Sequence, residues 1–301
     1  SLLGGAEERR PKGERLALVY LTGTIDNEDE DQGSGVSAGP FVRQLRKLAD
    51  DRDVKAVVLR VDSPGGSALA SDRMWHAVRR VQKRKPVIVS VGDMAASGGY
   101  YVACAGHEIF AEETSLVGSI GVVGGKFVFG DLAQRLGVRV NALSRGKNAG
   151  FMSPVEPWSD SERAAMRAAL DETYRIFLAR ITESRGLSGQ KLDDMAEGRI
   201  HTGKRALAGG LVDTRGGLTD ALAQARKKAG LDDDAPLDVW PEERSFVERI
   251  ARTFTSAEAQ ATPVQGLVHV LDRFGRSGLE SALVRGERGP LAALPFALDI
   301  R

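Results

Sequence analysis

Short apolar runs alternate with amphipathic stretches along most of this chain. Residues 16–21, 54–61 and 87–91 are uninterrupted runs of strand length, rich in Val, Leu and Ile. Between them, Phe41, Leu45 and Leu48 fall at i, i+4 and i+7 and predict one buried helix face. A second helix is expected over residues 68–83 and a third after Ser97. A short strand follows near Ile109-Phe110, then a Gly-rich apolar stretch over 117–123, a helix over 129–136 and a strand over 138–143. Ser159-Asp160-Ser161-Glu162 has the form of a capping box. It opens a long helix whose buried face carries Met166, Leu170, Phe177 and Ile181. Residues 203–230 read as helix, a strand at Leu211-Val212-Asp213, and helix. Strands alternating with helices across short loops predict stacked βαβ units and a largely parallel sheet, an α/β fold.

Residues 27–37 read as an acidic loop. Beyond Pro241 the pattern changes. Phe246, Ile250 and Phe254 mark one short amphipathic helix and residues 264–274 another, and the apolar end, residues 290–296, contains two prolines. The expected organisation is therefore a linker over 1–13, a main domain over 14–240, and a helical and apolar extension over 241–301. That extension is expected to pack on the domain or on a neighbour.

The bulk numbers narrow the classes. The 301 residues are 42% apolar and 28% charged with a net charge of +1, which offers nothing to nucleic acid. No apolar run reaches the about 18 residues of a membrane span. The chain opens at Ser1 on a polar segment without the features of a secretory signal, so its start is expected to lie within a longer protein. Cys104 is the single cysteine, which rules out intrachain disulfides. The four histidines, His76, His107, His201 and His269, are too scattered for a zinc site, and no metal or cofactor is expected.

Two motifs carry candidate chemistry. Met94-Ala95-Ala96-Ser97-Gly98-Gly99-Tyr100-Tyr101 places a serine among small residues between a buried strand and a helix. Its hydroxyl is presented at the junction, with unpaired helix-start N–H groups and the positive dipole end for a developing oxyanion. Val61-Asp62-Ser63-Pro64-Gly65-Gly66-Ser67 follows another buried strand, and its glycine pair lets backbone N–H groups come close to a ligand. Each alone is also ordinary turn chemistry. Asp62 is expected to brace its turn, Tyr100 and Tyr101 to pack, and His107 to face away from Ser97, against a Ser-His-Asp triad.

Those two motifs, with Gly118-Ser119-Ile120-Gly121 and the segment Thr202-Gly203-Lys204-Arg205-Ala206 through Gly210-Leu211-Val212-Asp213, resemble the S49 serine-protease family of signal peptide peptidase A. The resemblance covers residues 14 to 230. It implies a ClpP/crotonase-like fold and a Ser–Lys dyad, with Ser97 as nucleophile, Ser119 orienting the lysine, and Gly65, Gly66 and Gly98 as oxyanion donors. The lysine must be neutral to act as base, which burial in apolar surroundings favours.

The chain departs from the family pattern at that lysine. Short members carry it in a Gly-x-x-Lys stretch ending in Met-Ser-Pro, and aligning Gly146 and Met152-Ser153-Pro154 puts Ala149 in its slot. Lys147 sits two positions earlier. If the segment is extended, residues 147 and 149 share a face about 6.6 Å apart. Lys147 can then be read as a solvated loop lysine, as the base, or as a contact to substrate or partner. Long members are tandem duplications whose first half supplies the lysine and second half the serine. Arg10-Pro11-Lys12-Gly13-Glu14-Arg15 also resembles the junction between such halves. The chain is accordingly expected to be the serine-bearing half of a tandem serine endopeptidase.

The resemblance further implies apolar peptide substrates such as signal-peptide remnants, bound extended along a groove. It implies a homo-oligomer at the cell envelope, anchored by a segment outside this chain, with its site facing away from the cytoplasm. Two rivals are a non-catalytic half whose serine is inert without its partner, and acyl-CoA chemistry on the related crotonase fold.

Overall fold

The computed structural model describes residues 13–28 and 35–241, and the backbone of 291–293. The chain enters through β1 (Arg15–Thr22) and the short strands β2 (Thr24–Asp26) and β3 (Gly35–Ser37), then forms α1 (Ala38–Asp50) and β4 (Val54–Ser63). The Gly65-Gly66 segment is itself a strand, β5 (Gly65–Ser67), followed by α2 (Ala68–Gln82), β6 (Val87–Ala96) and α3 (Gly98–Ala103). Next come β7 (Glu108–Ala111), β8 (Leu116–Gly118), α4 (Gly130–Arg135) and the long α5 (Asp160–Arg185). The remainder is α6 (Gln190–Asp193), β9 (Ile200–Thr202), α7 (Gly203–Gly209), β10 (Thr214–Arg215), α8 (Leu218–Ala229), β11 (Leu237–Trp240) and β12 (Leu291–Ala293).

The main sheet runs β10-β7-β6-β4-β1-β11, with β8 pairing the end of β6 and β9 pairing β8. Every pairing along that path is parallel; only β8 with β9 is antiparallel. Both faces are covered, which explains the unbroken apolar runs. Val57, Leu59 and Val61 of β4 and Val87, Val89 and Val91 of β6 join the core with Phe41, Met74, Trp75 and Phe177. The alternate residues Ala56, Val58 and Ile88 pack on the other face with Ala221 and Ala225 of α8. A second sheet, β12-β5-β2-β3, stands beside the first.

At the entry edge, Arg15 is buried in an acidic clamp. It reaches Asp51 at 2.7 Å, Asp53 at 3.4 Å and Asp238 at 3.4 Å, tying β1 to β11 and to the turn before β4.

The capping box before α5 is present: the Ser159 side chain accepts from the Glu162 N–H, and the Glu162 carboxylate accepts from the Ser159 N–H. Met166, Phe177 and Ile181 are buried as expected, whereas Leu170 is half-buried.

Several expectations are corrected. Residues 138–143 form no strand; they are exposed, and among the described residues no strand lies beside them to supply ladder partners. The strand expected at Leu211–Asp213 lies at Thr214–Arg215, because the N–H of Leu211 turns back to the Ala206 carbonyl at 2.9 Å. Strands β2, β3, β5, β8, β9 and β11 are too short to show a pattern, and β3 at Gly35–Ser37 ends the loop expected over 27–37 by pairing with β2. The two helices expected beyond Pro241 lie outside the described residues.

Candidate active site

Three motifs distant in sequence meet at one corner because of how the strands end. β6 continues five residues past its apolar run, through Gly92-Asp93-Met94, where its register with β4 slips from Val61↔Val91 to Ser63↔Ala95. Asp62 braces that irregularity, as expected: its Oδ1 accepts from the Met94 N–H at 3.2 Å. Burial raises the pKa of this carboxyl above its ordinary value. β6 then pairs β8 through Ala96↔Gly118, and both strands stop there.

The next residue on each strand is a serine, and each is forced into the same backbone state. Ser97 and Ser119 both have φ of 50°, a region that non-glycine residues rarely adopt. Hydrogen bonds hold them: the Ser97 N–H donates to the Gly118 carbonyl and the Ser119 N–H to that of Arg199, each at 2.7 Å. Strain of this kind costs on the order of 1–3 kcal/mol and persists only where the surroundings impose it.

Behind Ser97, α3 has only six residues, so its dipole is small and its contribution is the unpaired N–H groups of its first turn. Gly98 sits hard against the glycine pair. A Cβ there would lie 3.2 Å from Gly65 Cα and from Gly66 N, and 2.5 Å from Ser71 Oγ. Gly66 has φ of +151° and passes so close to β2 that a Cβ would fall 2.0 Å from the Ile25 carbonyl oxygen. The Gly65 N–H already donates to Ser63 Oγ at 3.1 Å, and Ser63 in turn donates to the Gly23 carbonyl at 2.7 Å.

Ser97 is fully buried, and its Oγ has no hydrogen-bond partner among the described residues. Among the described residues, no lysine nitrogen is therefore within hydrogen-bonding reach. Lys147 lies exposed in a turn closed by the Ala149 N–H and the Gly146 carbonyl at 3.3 Å, so the extended geometry that would put residues 147 and 149 on one face does not occur. Ser119 instead borders a cleft of about 730 Å³. Val122, Val123, Trp158, Met166 and Leu170 give it apolar walls, and Arg163, Arg167, Asp171 and Glu197 are among the charged residues that line it.

The remaining titratable groups point elsewhere. His107 Nδ1 accepts from the Val87 N–H at 3.1 Å, at the start of β6 and about 30 Å along the strand from Ser97. His201 is buried, its Nε2 3.1 Å from the Met195 carbonyl oxygen, and burial lowers its pKa. Tyr100 and Tyr101 pack as expected. Their hydroxyls donate to the Leu211 carbonyl at 2.9 Å and to Asp72 Oδ1 at 2.8 Å, and the Tyr101 ring stacks on Phe177 at 4.5 Å. Cys104 is buried with its thiol pushed up to about 12, which leaves it unreactive. Among the described residues, no cluster of His, Cys, Asp and Glu could hold a metal ion.

A parallel sheet covered on both sides, with small residues and a strained serine at the carboxyl ends of its strands, defines a ClpP/crotonase-like α/β fold. Residues 30–116 match the Clp protease family model and residues 79–232 match that of peptidase family S49. The chain belongs to peptidase family S49. It is 36% identical over 222 residues to "Serine protease SPPA, chloroplastic" of Arabidopsis thaliana, a match covering 72% of this chain and 33% of that protein. It is 36% identical over 225 residues to "Putative protease MJ0651" of Methanocaldococcus jannaschii, covering 73% and 72%. "Protease 4" of Haemophilus influenzae is 35% identical over 215 residues, covering 71% of this chain and 34% of that protein. The matched region thus spans about a third of the chloroplast and Haemophilus proteins and nearly three quarters of the archaeal one.

Proposed function

We propose that this chain is the serine-bearing part of a signal peptide peptidase A-type endopeptidase, completed by a lysine from a tandem N-terminal half or from a neighbouring copy. One observation carries the reading: a buried, strained Ser97 whose Oγ has no partner among the described residues, beside a glycine pair. Burying an unpaired hydroxyl costs about 1–3 kcal/mol, a cost that makes sense where an incoming group completes the site.

In this reading Ser97 Oγ attacks a peptide carbonyl carbon while a neutral lysine takes its proton. Gly66 and Gly98 N–H groups hold the oxyanion, and Gly65, whose own N–H is engaged by Ser63, fixes the turn. The lysine returns the proton to the leaving amine, and water then hydrolyses the Ser97 ester. Ser119 orients the incoming amine. Lys147 serves as a contact to substrate or partner, because its turn holds it in solvent. The apolar cleft beside Ser119 suits extended apolar peptides such as signal-peptide remnants.

The segment from 127 to 143 supports assembly. Phe127, Phe129, Leu132, Leu136, Val138, Val140 and Leu143 are all exposed, a concentration of apolar surface that a second copy would cover. No helix among the described residues is long and apolar enough to cross a membrane, so anchoring at the cell envelope would fall to another segment. The site would then face away from the cytoplasm.

The experiment is fluorophosphonate labelling of this chain, alone and together with a lysine-bearing half. Labelling should be weak alone, rise with the partner and vanish in Ser97→Ala. A serine that stays unlabelled in both states leaves the inert-half reading, which the missing lysine favours. Turnover of an acyl-CoA that survives Ser97→Ala would overturn the peptidase reading.

A further inference from the structure

α3 starts at Ser97 but cannot set its own direction. It has six residues, too few for a helix to be stable alone. Gly98 and Gly99 offer no side chain, and Val102 and Ala103 make apolar contacts, which are non-directional. Its directional side-chain tethers are two tyrosine hydroxyls. Tyr100 ties it to the Leu211 carbonyl, and Tyr101 ties it to Asp72 of α2. The Tyr101 main chain also holds the nucleophile directly, its N–H donating to the Ser97 carbonyl at 2.8 Å.

The Tyr101 tether is shared with a third helix. Asp72 Oδ1 accepts from the Tyr101 hydroxyl at 2.8 Å and from Arg180 Nε at 2.9 Å. Burial, and then Asp72 itself, raise the Tyr101 pKa, so the hydroxyl stays a donor. Arg180 is steadied over the Trp75 ring at 4.5 Å, with one terminal nitrogen 3.1 Å from His76 Nε2. It belongs to α5, whose Met166, Leu170 and Tyr174 line the cleft beside Ser119. One turn beyond Tyr174, Phe177 stacks on Tyr101, and Arg180 follows a turn later. A single helix thus touches both the cleft and the nucleophile's helix, with Leu170 and Arg180 about 15 Å apart along its axis.

We propose that Tyr101, Asp72 and Arg180 are positioning residues that lock α3 to the cleft-lining helix and hold Ser97 in its strained, reactive backbone state. None of them touches the reacting atoms. The proposal deepens the peptidase reading and rests on it for what Ser97 does. Strain at Ser97 persists only while its surroundings impose it. A loosened α3 would let that strain relax and carry Oγ away from the Gly66 and Gly98 N–H groups, and a displacement of about 1 Å can cost about 100-fold in rate.

The test is fluorophosphonate labelling of the whole chain with a lysine-bearing half, followed to saturation so that maximal rate and half-saturating concentration separate. Tyr101→Phe keeps the ring and its stack on Phe177. It and Asp72→Ala should each lower the maximal rate about tenfold with the half-saturating concentration unchanged. The double variant should lose no more than either single one. Asp72→Asn, which keeps an acceptor oxygen, should recover most of the rate. Arg79→Ala removes a different α2–α5 contact, to Glu183 at 3.4 Å, and should leave the rate unchanged. A full rate in Tyr101→Phe, or an equal loss in Arg79→Ala, overturns the proposal, as does an effect confined to the urea midpoint. Amide hydrogen exchange gives a second readout that needs no chemistry at Ser97. In Tyr101→Phe the N–H groups of residues 101 and 104, bonded to the Ser97 and Tyr100 carbonyls, should exchange about tenfold faster while those of α8 do not change. If the unaltered protein resists the probe, the peptidase reading falls and exchange alone decides: faster exchange confined to α3 sustains the lock, and unchanged exchange overturns it.

Discussion

The serine corner and the segment from 126 to 152 are opposite in construction. At the corner, backbones meet so closely that no added atom fits, and every apolar side chain of Tyr100 to Ala105 is buried. In the segment, Leu136 is 73% exposed and Leu143 fully so, no strand forms, and Lys147 stands in solvent. The corner owes its geometry to this chain's own sheet. The segment carries apolar side chains that stand largely exposed among the described residues, apart from Phe151, which stacks on Trp158. Geometry that must be held to a fraction of an ångström is supplied by this chain's own strands, and in the proposed reading the base that the corner lacks comes from outside.

The largest contrast should come from adding one methyl group to each region. Gly66→Ala places a Cβ 2.0 Å from a backbone oxygen at a φ of +151°, so Ser97 labelling should fall at least about 100-fold. Gly125→Ala, with nothing within 4 Å, should leave labelling and stability unchanged. Truncation sharpens the contrast in energy. Phe177→Ala, in the fully buried stack with Tyr101, should cost about 3–5 kcal/mol by urea denaturation. Leu143→Ala should stay within about 0.5 kcal/mol. The double variant Leu136→Asp/Leu143→Asp should keep the urea midpoint yet lower the sedimenting mass. An unchanged mass would remove the segment from any interface.

The smallest effect is electrostatic. Because burial raises the Asp62 pKa, its neutral form is favoured in the folded state. The stability that form supplies is complete below the ordinary carboxyl pKa and is lost as pH rises through the raised value. Asp62→Asn keeps an acceptor for the Met94 N–H and carries no charge. It should therefore raise the urea midpoint slightly at pH 7, with the gain shrinking as the pH is lowered toward 4.

Much of this was legible from residue order alone. Runs such as 54–61 and 87–91 announce buried strands because both sheet faces are covered, and the Ser159 box announces α5 through local hydrogen bonds. The corner was legible as three motifs, since glycines and serines at strand ends mark places where backbone geometry is imposed. What the sequence could not disclose depends on distant partners. Val138 to Leu143 has strand composition, yet a strand requires a neighbour to pair with, and no period records whether one exists. The Gly65 N–H looked free until Ser63, two residues before it, took it up. β12 gave no periodic signal at all, because three residues are too few to show one.

The Arg15 clamp has a consequence for how such a unit can be strung into longer chains. β1 and β11 are neighbours running the same way, with Leu16 beside Leu237 and Val19 beside Trp240. The points where the polypeptide joins and leaves this sheet are thus separated by about 13 Å on one rim. Duplicating the unit, or hanging more protein from either side, requires no passage through the interior, and one guanidinium shared among three carboxylates keeps that doorway shut.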